Sequence, residues 1–207
     1  MQLRSDNFEN GQPIPAEFAF GKRADPFALS DNHSPHLAWK NAPAVTRSFV
    51  LTCIDHDVPS RGDDVNKAGR TVPAELPRVP FVHWMMANIP AECGELAAAA
   101  CSDEVTPRGK RDPSGPSGSV QGVNDFTGWF SGDAEMGGEY LGYDGPCPPW
   151  NDALLHHYHF TISALDVETL TLAEGFTHAQ LRAAMAGHVL AEAELIGSYS
   201  LNPALSD

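Results

Sequence analysis

The stretch His157-Tyr-His-Phe-Thr-Ile-Ser-Ala-Leu165 carries the clearest period in the chain. Tyr158, Phe160, Ile162 and Ala164 alternate with His157, His159, Thr161 and Ser163. Successive side chains of an extended strand point to opposite faces, so this pattern predicts a sheet strand with one apolar and one polar face. By the same parity His156 shares the face of Tyr158, whereas His157 and His159 lie opposite. Two further strands are expected upstream. Ser48–Ile54 (SFVLTCI) is mostly apolar and runs into Asp55-His-Asp-Val-Pro59, where the proline stops pairing. Phe81–Ala87 (FVHWMMA) reads as a buried strand in which His83 is the one ionisable residue.

Composition agrees with a β-rich fold. The 207 residues suit one domain spanning 1–207, and 42% of them are hydrophobic, enough for a core without metal or disulfide staples. Glycine (18) and proline (17) are abundant, as turns require. Ten of the 18 glycines fall in a long loop region at about 101–152. Within it Asp112–Ser119 (DPSGPSGS) reads as a mobile loop. Asn124–Asp152 holds Phe126, Trp129, Phe130, Tyr140, Tyr143 and Trp150, too many aromatics for a solvated linker, so it is expected to pack on the body. The C-terminal region predicts helix. Thr177-His-Ala-Gln180 has the form of a capping box, and Phe176 and Leu181 sit where a hydrophobic staple would. Leu181, Met185 and Val189 make one apolar stripe. Gly187 divides the region into two helices, and Gly197 serves as their stop. The expected architecture is a two-sheet antiparallel β-sandwich with peripheral C-terminal helices.

Charge narrows the function classes. Thirteen Lys and Arg against 27 Asp and Glu give −14, which excludes a general nucleic-acid binder and electrostatic docking on an anionic membrane. No run approaches the roughly 18–20 apolar residues of a membrane span. The first 20 residues include Arg4, Asp6, Glu9 and Glu17, so no apolar signal core is present there and a cytoplasmic location is expected. Cys53, Cys93, Cys101 and Cys147 form no C-x-x-C and are read as free thiols. No zinc spacing emerges among the nine histidines.

The chemistry-bearing residues gather at strand ends. No G-x-S-x-G, P-loop, G-x-G-x-x-G or H-E-x-x-H occurs. Asp55 and Asp57 are two apart, so an extended backbone places both on one face; they equally suit a turn that ends a strand. His83 is a pocket group or a satisfied core histidine. His156 is a pocket group or a surface residue. Gly145-Pro-Cys-Pro-Pro149 is a rigid corner or a pocket wall.

Together these motifs resemble the phosphatidylethanolamine-binding protein family, also called the Raf kinase inhibitor protein family, and most closely its bacterial YbhB/YbcL-type branch. Phe8, Gly11 and Ile14-Pro15 match the family's opening, and Ser34-Pro-His-Leu-Ala-Trp39 its S-P-x-L-x-W. Asp55-His-Asp-Val-Pro-Ser-Arg61 matches D-P-D-x-P-S-R with His56 replacing proline. His83-Trp84, Asn88-Ile-Pro90, Gly145 to Pro149 and His156-His-Tyr-His-Phe160 follow in order, with His157 standing where the family has arginine. Gly187-His-Val-Leu-Ala191 and Gly197-Ser-Tyr199 resemble the branch's last helix.

The resemblance implies two packed antiparallel sheets and a small anion pocket at one edge. Carried over by position, that pocket contains Asp55, His83, Cys147, Pro148, His156 and Tyr158, supported by Asp57 and Trp84. It implies a non-enzymatic module that binds a phosphate-bearing small molecule, lipid head group or phosphorylated side chain. It also implies a protein partner such as a kinase and no cofactor. A homodimer stays open. The alternative is a hydrolase- or metal-type enzyme, in which Asp55, His83, His156 and Tyr158 serve as acid, base or metal ligands.

Overall fold

The computed structural model describes residues 1–205, so the last two positions of the 1–207 span lie outside the described residues. Its strands in chain order are β1 (Gln2–Arg4), β2 (Gln12–Pro13), β3 (Gly21–Arg23), β4 (Phe27–Leu29), β5 (Leu37–Lys40), β6 (Ser48–Pro59), β7 (Arg78–Pro90), β8 (Glu95–Leu96), β9 (Val120–Gln121), β10 (His156–Leu165) and β11 (Val189–Tyr199). Two α-helices occur among the described residues, α1 (Phe126–Trp129) and α2 (His178–Met185).

The alternation that predicts β10 is what centres the fold. Tyr158, Phe160, Ile162 and Ala164 are fully buried, while His157, His159 and Thr161 are partly exposed. β10 pairs antiparallel with β6 on one side and β11 on the other. The six-stranded sheet runs β2-β11-β10-β6-β7-β9, antiparallel except for the short parallel β2–β11 contact. Its inner face (Leu51, Cys53, Trp84, Met86, Phe160, Ile162) packs on Leu37, Trp39 and Leu96 of the three-stranded sheet β1-β5-β8. Trp39 meets Phe49 edge-on across this layer at 5.5 Å. The outer face of Val50, Val82, Met85 and Ala87 is covered by Leu170, Phe176 and Leu181. The chain is therefore mainly β, with a separate β3–β4 hairpin beside the two packed sheets.

The long loop region is tied down by its aromatics: Phe126, Tyr140 and Tyr143 are buried. The capping box forms, with Gln180 N donating to Thr177 Oγ1 and Thr177 N donating to Gln180 Oε1. Phe176 and Leu181 are both buried beside it.

The second C-terminal helix does not form. The helix stops at Met185, Gly187 turns the chain at φ +83°, and residues 189–199 run as β11. Val189, expected on the helical stripe, is exposed at the start of that strand. The sequence VLAEAELIGSY is rich in helix formers, but it alternates. Glu192 and Glu194 point outward to Ser163 and His159, while Leu195 and Gly197 turn inward. Pairing along the whole of β10 outweighs local propensity, which is a weak term. Gly197, expected as a helix stop, instead lies opposite Tyr158 in the sheet. A Cβ there would collide with Ile14 and come within 2.9 Å of the Phe8 ring.

That packing yields a test. Gly197→Ala should destabilise the fold by about 1–3 kcal/mol, as overpacking does. Gly128→Ala, in α1 with no atom within 4 Å of the added carbon, should change stability by less than about 1 kcal/mol. Urea denaturation of both variants reads the difference.

Candidate functional site

The ends of β6, β7 and β10 meet the 145–152 loop at one end of the large sheet. Tyr158 pairs directly with Asp55 across β10 and β6. In β7 the register slips: Cys53 pairs with Trp84, and Ile54 with Val82. His83 is the extra residue, and such a bulge re-aims a side chain. Val82 stays on the outer face, whereas Trp84 enters the inner core and the His83 ring stands edge-on to Tyr158 at 5.1 Å. His83 Nδ1 donates to the carbonyl of Asp144 at 2.8 Å, which fixes the tautomer. Its Nε2 carries no hydrogen bond among the described residues. The Asp144 carboxylate is itself buried and held by Asn32, Lys110 and Asn124.

Behind these groups runs a line of alternating charges. His156 is fully buried; Nδ1 donates to Asp55 Oδ2 at 2.7 Å and Nε2 to Asp152 Oδ2 at 3.1 Å. Both ring nitrogens donate, so the ring is an imidazolium. Arg78 closes the line with two bonds to Asp152, of 2.6 and 3.0 Å. Burial alone would lower the pKa of His156, but the bonds to Asp152 and Asp55 push it up to about 9. Burial works to raise Asp55, yet His156, His83 and the Asp57 amide hold its carboxyl below the usual range. His83 behaves oppositely: burial lowers its pKa, and the nearby Asp55 and Asp144 oppose that only in part. Burial, with Asp55 adding, pushes the Tyr158 phenol well up.

A cavity of about 390 Å³ opens in front of Asp55, His83, Cys147, Pro148 and Tyr158. The fully buried Tyr158 hydroxyl makes no hydrogen bond of ordinary geometry, although the neighbouring Asp55 carboxylate acts on it and helps to raise its pKa. Most of the remaining wall is apolar, including Phe20, Phe81, Phe126 and Pro149. Among the described residues no three His, Cys, Asp or Glu side chains converge as a metal site. No helix among them is long and apolar enough to cross a membrane.

The sequence profile described as phosphatidylethanolamine-binding protein matches residues 4–200. The chain belongs to this family. It is 31% identical over 201 residues to the UPF0098 protein YbhB of Escherichia coli, covering 97% of this chain and 100% of that protein. A UPF0098 protein of Methanothermobacter thermautotrophicus is 33% identical over 199 residues, covering 96% of this chain and 98% of its own. The crystal structure of Escherichia coli YbcL, described as a new member of the mammalian family, superposes with a TM-score of 0.70 at 28% identity, over 96% of this chain and 97% of that one.

Within this family frame the expected site residues divide. Asp55, His83, Cys147, Pro148 and Tyr158 share the cavity. His156, expected in the wall, lies behind it, since both nitrogens are consumed by carboxylates. Trp84 is sealed in the core, its Nε1 on Gln121 and its ring edge-on to Tyr143. Asp57 does not share the partner of Asp55: it accepts from the amide and the Nδ1 of His157. The irregular register between Asp55 and Val58 breaks the alternation that would have kept the two carboxylates together. His157 is half exposed on the opposite face, away from the cavity. Cys147, in the cavity wall, has its pKa pushed up to about 12 by burial, so it stays protonated and slow at neutral pH. Asp152, Arg78 and Asp144 escaped the sequence reading. Asp152 stands four residues before His156, but nothing in a loop fixes that spacing as a contact.

The charge line makes stability depend on pH. His156 binds its proton more tightly when folded, so its contribution is full below about pH 6.5 and is lost as pH rises toward about 9. Asp55 and Asp152 have lowered pKa values, so their contribution is lost on acidification through the carboxylate range. Denaturant midpoints should therefore fall between pH 6.5 and 9. His156→Gln should lose this slope and about 3–5 kcal/mol at pH 6, because it strands buried carboxylates.

Proposed function

We propose that the protein is a non-catalytic binding module whose ligand places a phosphate-type oxyanion at the cavity floor, against Tyr158 and His83. The observation that carries this reading is the Tyr158 hydroxyl, buried at the cavity without a hydrogen bond of ordinary geometry, the neighbouring Asp55 carboxylate being the one acceptor that acts on it. Leaving a buried hydroxyl unpaired costs about 1–3 kcal/mol, and a ligand oxygen would remove that cost. His83 supplies the second contact. With its proton on Nδ1 the ring offers a lone pair at Nε2; a second proton turns that atom into a donor. Anion binding is therefore coupled to proton uptake at His83. Asp55 favours the protonated ring and repels a doubly charged head, so a singly charged oxyanion suits this floor best. Holding a ligand is favoured over turning one over because His156, the natural acid–base partner of Asp55, has both nitrogens engaged.

Methyl sulfate tests this, since its single charge does not change with pH. Its affinity, measured by calorimetry, should rise as pH falls from about 7.5 and keep rising below about 6.5, because burial lowers the pKa of free His83. Tyr158→Phe should weaken it by about 1.5–3 kcal/mol, the worth of a hydrogen bond to a charged group. His157→Ala, on the other face, should bind as the parent does. Equal binding by the parent and Tyr158→Phe would reject the reading.

A further inference from the structure

The polar floor occupies one end of the cavity; rings line the rest. Ring contacts run unbroken from Tyr158 to α1: Tyr158 to His83 at 5.1 Å, His83 to Phe126 at 5.5 Å, and Phe126 stacked on Phe20 at 4.6 Å. Phe81 stands edge-on to Phe126 at 5.2 Å. At the opening Phe27 and Leu29 of β4 and Trp129 of α1 line the cavity while 41%, 48% and 52% exposed. Seven large apolar side chains are exposed among the described residues, and three of them stand at this one opening. Scattered exposed apolar residues need no explanation, but a cluster rimming a pocket marks a binding site. Of the two other charged side chains that line the cavity besides Asp55, Arg61 is paired with Asp63 outside it, and Glu135 is the second.

We infer that the ligand is an aromatic acid, one or two rings bearing a single oxyanion, with its head on Tyr158 and His83 and its ring seated between Phe126 and the rim of Phe27, Leu29 and Trp129. This rests on the binding-module reading and names the class of ligand it takes. A bare inorganic anion would leave the rim in water. A pair of acyl chains has no room in about 390 Å³, whereas a cavity of roughly 150 Å³ already holds a benzene ring. Walls built of rings favour another ring over an alkyl chain of equal area, through edge-to-face and offset contacts. Trp129, Phe27 and Leu29 are thereby the specificity-determining residues of the site.

Phenyl, butyl and methyl sulfate carry the same head and charge, so calorimetry at pH 6 isolates the body of the ligand. Phenyl sulfate should bind about tenfold or more tighter than methyl sulfate, from the apolar area it buries. It should bind about threefold tighter than butyl sulfate, from ring geometry. Trp129→Ala, and independently Phe27→Ala with Leu29→Ala, should weaken phenyl sulfate most and methyl sulfate least. These are exposed positions, so the fold should hold. Tyr158→Phe should weaken all three. Equal affinity for the three, unaffected by Trp129→Ala, would overturn the aromatic class and leave the binding module standing. Failure of all three to bind would overturn both. Phenyl sulfate binding that ignores Tyr158→Phe would overturn the placement. So would vesicles of phosphatidylethanolamine and phosphatidylglycerol capturing the protein in preference to phenyl sulfate. A Trp129→Ala variant that changes only self-association, seen by sedimentation, would assign the rim to a second copy of the chain instead.

Discussion

A buried imidazolium between two carboxylates is the constraint from which the rest of this site follows. An ion taken out of water is costly unless its partners are close and complete. His156 meets that condition with Asp55 on β6 and Asp152 in the loop before β10, and Arg78 on β7 completes the line. Three strands and one loop are thus fixed to one another by charge as well as by packing. Because Asp55 is kept ionised by a cation it cannot share with a ligand, the cavity floor is not electropositive. On the proposed reading its donors come from the Tyr158 phenol and from the His83 imidazole, whose pKa burial lowers.

The part of the fold legible in the sequence was the part written in period 2. Tyr158, Phe160 and Ile162 alternate in sequence and are buried as their parity requires. The outward histidines find acidic partners, His157 on Asp57 and His159 on Glu194. β11 was illegible for a physical reason: alanine and glutamate favour helix locally, and only the facing β10 makes them a strand. Parity also places a side chain on a face without saying how deep it sits. That is why His156 and Tyr158 share a face while only Tyr158 reaches the cavity. Asp152 and Arg78 lie beyond any local rule, since their meeting depends on loops whose paths no short pattern specifies.

The aromatics of the 124–150 region show the same limit from the other side. Their number announced an ordered segment, and the burial of Phe126 and Tyr140 agrees. What number alone could not show is that the segment supplies a wall. Five of the residues that the family motifs suggest for an anion pocket lie, in this chain, at the polar end of a larger and mostly apolar cavity. The motifs describe the head of the site, and the loop describes its body.

The register slip in β7 places two consecutive residues on one side of the sheet, His83 toward the cavity and Trp84 into the core. Site and core are thus built from a single backbone irregularity. Transplanting the five cavity residues onto a regular sheet would carry over their chemistry without their aim, because strict alternation would send either the histidine or the tryptophan to the wrong face. A graft of this site onto another scaffold must therefore bring the extra residue with it, and the scaffold must have space beneath for an indole.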